Sequence, residues 1–143
     1  MISRHVARKN AFLIIFQKSF NDIPFEDMLL DMEESNICED EQMFELDDFA
    51  RSIVNAAIDN MAEIDSKIKP YLNKWTLERL PRVSLAVLRI SCAQMLYLSD
   101  EKNLPDSVVI NEAVELAKEY GGEEEYSFVN GTLGSFAKEI RGI

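Results

Sequence analysis

The chain has 143 residues, 47% hydrophobic and 29% charged, with a formal net charge of -11. That length fits one domain, or two small lobes sharing a core, and the composition supports a packed interior under a solvated surface. A uniformly acidic protein is a poor general binder of nucleic acid, because phosphate neutralisation supplies most non-specific affinity, and no run reaches the roughly 18–20 apolar residues of a membrane span.

Ser3 is placed to cap a first helix running to about Phe20, closed by Asn21-Asp22-Ile23-Pro24. A second helix is predicted over Phe25–Glu34, broken at Ser35-Asn36. Asp40 then caps a long third helix from about Glu41, with Phe49, Ile53, Ala56, Ala57 and Met61 stepping by three or four. Asp65 caps a short fourth helix, Ser66–Asn73. The connector Lys74–Pro81 carries two apolar anchors, Trp75 and Leu80, and divides the chain into an N-terminal lobe (about 1–73) and a C-terminal lobe (about 82–143). An apolar helix over Val83–Leu98 follows, with Val87, Leu88, Cys92, Met95 and Leu96 inward. Pro105 and Asp106 open the next helix, which stops at Tyr120 before Gly121-Gly122. Glu123-Glu124-Glu125 start the last helix, whose core face is Val129, Leu133, Phe136 and Ile140. Asn130-Gly131 lacks the alternating flanks of a hairpin and is read as helical. The predicted class is all-α, about seven helices.

Charge is unevenly distributed. Residues 1–20 hold Arg4, Arg8, Lys9 and Lys18 and no acid, residues 21–65 hold fifteen acids against Arg51, and residues 66–99 hold six cations against Glu78. Two basic blocks separated by an acidic one predict a polarised surface.

At 100° per residue, Arg4, His5, Arg8 and Lys9 fall within an arc of roughly 140°, which Phe12 and Phe16 continue. Cations that hold phosphates beside rings that stack on unpaired bases suit single-stranded RNA; the alternative is a buried helix with cations at its exposed tip. Arg89, inside an apolar helix, either faces RNA or pairs with an acid such as Glu112; the pairing is preferred, since an unpaired buried charge is costly. Gly131 and Gly134, unfavourable inside a helix, read first as sites of tight helix packing and second as sites of close approach by RNA or a partner.

The acidic stretch 22–48 lacks the spacing of a calcium loop and reads as a solvated face. Phosphate loops, GxGxxG, HExxH, CxxC and GxSxG are missing, and no nucleophile lies beside a base, so neither an enzyme nor a cofactor is expected. Two cysteines, Cys38 and Cys92, and a single histidine supply neither a disulfide framework nor a metal site. The basic start is followed by an apolar run, Ala11–Phe16, too short for a secretory leader, so a cytoplasmic location is expected.

Several blocks in order carry a family resemblance. They are Ala7-Arg8 with Ala11 and Phe16; Ile64-Asp65 through Ile68-Lys69-Pro70-Tyr71-Leu72; Trp75 and Leu80; Val83 with Ala86–Ile90; Ile110-Asn111-Glu112-Ala113-Val114-Glu115-Leu116-Ala117-Lys118; and Phe128-Val129-Asn130-Gly131 with Leu133. Reaching from residue 7 to residue 133, they resemble the NusB family of transcription antitermination factors. The resemblance implies a fold of two helical lobes and binding to the boxA element of nascent RNA together with NusE, within the RNA polymerase elongation complex. It places Arg4, His5, Arg8, Lys9, Phe16, Glu124 and Phe128 toward RNA. Ser84, Arg89, Pro105, Asp106 and Val108 it places on the NusE side. His5 stands where arginine is common, Phe16 lacks a tyrosine hydroxyl, and Ser127 replaces a lysine of some members, so RNA binding without NusE is expected to be modest. Two other readings compete: a helical interaction module or homodimer that ignores RNA, and a stand-alone version of the RNA-binding lobe of ribosomal RNA cytosine methyltransferases.

Overall fold

Ser3 starts the first helix. In the computed structural model, which describes residues 2–20, 24, 26–28, 30 and 45–142, its hydroxyl accepts the Val6 N–H at 3.2 Å and opens α1, Arg4–Lys18. Glu26–Met28 and Leu30 are helical, within the predicted second helix. The rest of that helix, its break at Ser35-Asn36, Cys38 and the Asp40 cap lie outside the described residues.

The third helix begins later than its apolar spacing predicted. Glu45–Asp47 are not helical, and α2 runs Asp48–Asp59 because the Asp47 carboxylate accepts the Ala50 N–H at 2.8 Å from an extended backbone. Asp65, predicted as a cap, lies inside α3, Met61–Ile68, which already starts after Asn60. A 3-10 turn, Lys69–Tyr71, follows, and Asn73 takes a left-handed φ of 58°. Beyond the connector come α4 (Arg82–Ala93), continued by a π-helical turn at Gln94–Leu98, then α5 (Asp106–Tyr120) and α6 (Glu123–Arg141). Asn130-Gly131 is helical, as predicted. Besides the helical residues Glu26–Met28 and Leu30, six α-helices and no strand occur among the described residues.

The α4 helix packs against each of α1, α2, α3, α5 and α6. Leu85, Ala86, Val87, Leu88, Ile90, Cys92 and Ala93 are buried on it, so it is apolar nearly all round, as a central helix must be. Around it Phe12, Ile14 and Ile15 of α1, Ile53 and Val54 of α2, Ile64 and Ile68 of α3, and Val129, Leu133 and Phe136 of α6 form one continuous core. Each fully buried large side chain contributes about 1.5–3 kcal/mol. Leu80 pins the end of the connector in this core, but Trp75 does not anchor it: a tight turn, with Trp75 N–H on the Leu72 carbonyl at 3.1 Å, leaves the indole 37% exposed. No helix among the described residues is long and apolar enough to cross a membrane.

Candidate functional site

Three pairings set α1 beside α5. The His5 ring N–H donates from Nδ1 to Glu112 Oε2 at 2.7 Å, Lys9 Nζ lies 3.5 Å from Glu119 Oε1, and the Phe12 and Tyr120 ring centroids are 4.9 Å apart. Both residue numbers rise together, so the two helices run parallel and bring the cations of α1 against the acids of α5. The Lys9 ammonium is partly desolvated, which lowers its pKa, but Tyr120 and Glu119 outweigh this and hold it above the ordinary lysine value. Rings continue the row: Phe12 stacks on Phe16 at 5.7 Å, and Phe16 meets Phe20 edge to face at 5.1 Å.

Arg4 and Arg8 share one ring but not one environment. Their guanidinium carbons lie 4.6 and 5.3 Å from the Phe49 centroid, a doubled cation–π contact from α2. Arg4 is exposed and donates from Nη1 to the Lys102 carbonyl at 3.3 Å. Arg8 is buried, its Nε donating to Gln94 Oε1 at 2.7 Å while Nη2 has no partner. Burial pulls its pKa down and Arg4 adds to this, while Glu112 opposes both. Gln94, in the π-helical turn, is held in turn by its Nε2–H on the Ile90 carbonyl. Neither Phe49 nor Gln94 carries a sequence signal for this role, because both reach Arg8 from distant parts of the chain.

A second region centres on the start of α6. A cleft of about 590 Å³ lies between Trp75 and Pro81 on one side and Glu123, Glu124 and Phe128 on the other, with Lys74 at its edge. Glu124 is exposed and Phe128 half-buried. Ser84 is fully buried at its base, its hydroxyl donating to Glu125 Oε1 at 3.0 Å. Gly121 precedes α6 because nothing larger fits: an added Cβ would lie 2.9 Å from the Ala117 carbonyl oxygen and 2.6 Å from Glu125 Oε2. Gly131 and Gly134 are different. An added Cβ at either would meet nothing within 4 Å, so the expected tight helix packing is absent.

The predicted partner-facing residues separate into two groups. Pro105 and Val108 are exposed at the start of α5, and Asp106 beside them takes both prongs of Arg141 at 2.7 and 2.8 Å. Ser84 and Arg89 lie apart from them. Arg89 pairs with Asp65, Nε to Oδ1 at 3.0 Å and Nη2 to Oδ2 at 2.8 Å, so the preferred pairing holds but its acid is on α3. Glu112 is engaged by His5 instead. Among the described residues no group of three histidine, cysteine or acidic side chains is placed to hold a metal ion.

Among the described residues the chain is helical and strand-free, with a cationic first helix along one side and an aromatic cleft at the start of its last helix. The NusB family profile matches residues 5–138, and the chain belongs to that family. It is similar to the transcription antitermination protein NusB of Listeria monocytogenes, 38% identical over 138 residues, 96% of this chain and 98% of the relative. The protein of the same name from Oceanobacillus iheyensis is 36% identical over 92% of this chain and 96% of its own length. Among solved structures, T. maritima NusB superposes with a TM-score of 0.79 at 34% identity, covering 96% of this chain and 92% of that one. A crystal structure of antitermination factors NusB and NusE in complex with double-stranded RNA gives 0.79 at 28% identity, over 95% and 96% of the two chains.

Proposed function

We propose that this chain is a non-catalytic transcription antitermination factor that binds boxA-type RNA jointly with NusE during ribosomal RNA synthesis, in the cytoplasm, and reaches RNA polymerase through that complex. The observation that carries the reading is the whole-length likeness to a NusB chain solved with NusE and RNA, in a chain that keeps Arg4 exposed at the head of α1 and an aromatic cleft at α6. Arg4 and Lys9 supply charge to the RNA backbone, with His5 beside them. Arg8 acts from beneath, fixing Phe49 and therefore Arg4. Phe16 extends the row, and Phe128 offers a ring to an unpaired base, with Glu124 at the rim accepting base N–H groups. Pro105, Asp106 and Val108 form the NusE-facing patch; Ser84 and Arg89, set apart from it, hold α4 to α6 and to α3 through Glu125 and Asp65.

Titration of a labelled boxA-type RNA, with and without NusE, tests this. Affinity rises when NusE is present and falls as salt increases, because phosphate contacts release counterions. Arg4→Glu weakens RNA binding and leaves NusE binding intact. Absence of any enhancement by NusE overturns the reading.

A further inference from the structure

Gly131 sits in the interior of α6, where glycine disfavours the helix, yet no neighbour in this chain requires it: the space a Cβ would occupy is open. Gly131 lines a groove of about 230 Å³ that shares Phe128 with the Trp75 cleft and is otherwise lined by different residues. Tyr71 and Asn73 form one wall; Ser127, Gly131, Thr132 and Ser135 of α6 form the other. Thr132 is only 4% exposed, and its hydroxyl has no hydrogen-bond partner. A buried hydroxyl without a partner costs stability, so its retention here is the second feature of the groove that the fold alone does not account for.

The lining selects the chemistry. Every side chain along it is uncharged, which disfavours a phosphate, whose recognition relies on cations. Hydroxyl and amide groups that both donate and accept match a sugar edge, and the bare helix backbone at Gly131 permits close approach. Phe128, on the rim, gives the attached base a ring to stack on. We propose that this groove seats one ribose of the bound RNA, with its 2′-hydroxyl meeting Thr132 and its base against Phe128. The proposal rests on the RNA-binding reading above and adds to it a site that distinguishes RNA from DNA.

The test uses the full chain with NusE and a boxA-type RNA carrying single 2′-deoxy substitutions at successive positions, against wild type, Thr132→Val and Gly131→Leu. In wild type one deoxy position weakens binding by about two- to tenfold, the range of one net hydrogen bond. Thr132→Val binds the all-ribose RNA more weakly by a similar factor and no longer responds to that deoxy position, the non-additivity expected of a direct pair. Gly131→Leu loses RNA affinity while melting at or above the wild-type temperature; Gly131→Ala, the milder variant, serves if leucine impairs folding. Both variants bind NusE as wild type does. Sensitivity to the same deoxy position in wild type and Thr132→Val alike overturns the ribose seat, as does weakened NusE binding in either variant. Failure of the wild-type chain to bind the RNA with NusE would instead overturn the functional reading itself.

Discussion

Arg89 and Asp65 meet in a two-pronged ion pair, 3.0 and 2.8 Å, that ties the central helix α4 to α3. Their side chains are 13% and 19% exposed, so the pair is largely but not wholly shielded from water. Removing one member leaves the other charged and short of partners. Arg89→Ala therefore costs about 2–3 kcal/mol in urea unfolding, somewhat less than a fully sealed pair. Arg89→Lys restores only part of this, because an ammonium cannot reproduce the fork. An Arg89→Ala protein as stable as wild type would remove the structural role.

Arg8 leads to a contrast between two substitutions. Its guanidinium is sealed between Gln94 and Phe49, with Nη2 unpartnered. Arg8→Met keeps much of the volume and removes the desolvated charge, so it changes stability by only about 1–2 kcal/mol. Arg8→Glu buries an acid where Gln94 Oε1 offers no proton, and costs more than about 3 kcal/mol. Thermal melts of the two variants check this. An Arg8→Glu chain that melts as wild type does and loses RNA affinity alone would put Arg8 at the RNA rather than beneath it.

Local signals in the sequence carried much of the fold. Ser3, Pro105, the Glu123–Glu125 run and the stop at Gly121 lie where the structure starts or ends helices, because caps, proline and helix-dipole effects act within one turn. Asp65 misled for the opposite reason: its preference for a cap was overridden by a partner 24 residues away. The arc of cations on α1 was equally legible, but periodicity cannot say which cation faces inward. Arg4 and Arg8 are one turn apart on the same face, and only the distant Phe49 and Gln94 make one a surface group and the other a buried one. Trp75, by type an anchor, is partly exposed, and Gly131, by type a packing glycine, faces open space. Each depends on the space around it, which no spacing rule encodes.

Cys92 yields a prediction in the alkaline range. It is a free thiol with no exposed surface, and burial, with a smaller contribution from Asp65, pushes its pKa well above its ordinary value of 9.0. A group with a raised folded-state pKa stabilises the fold fully below its unfolded pKa and loses that contribution as pH rises toward the folded value. Stability therefore declines above about pH 9, and Cys92→Ala, though less stable at neutral pH through loss of packing, declines less steeply there. In a Cys38→Ser background, a thiol reagent reacts with Cys92 only as fast as the chain opens. Rapid labelling of the folded protein would contradict the burial.

Trp75 is the single tryptophan of the chain and is 37% exposed on the wall of the cleft opposite Phe128. Its emission therefore reports directly on what enters. Titration with a boxA-type RNA at low salt quenches it saturably, and added salt reverses the quenching with the slope expected of phosphate contacts. Phe128→Ala removes the ring that the cleft shares with the neighbouring groove. Loss of one stacked base is worth about 1–3 kcal/mol, so affinity falls by about five- to a hundredfold and the residual quenching requires correspondingly more RNA. The fold tolerates this change, since Phe128 is only half-buried and flanks the core instead of filling it. RNA that binds by an independent label yet leaves the Trp75 emission unchanged would move the RNA path away from α6 altogether, leaving α1 as its whole footprint.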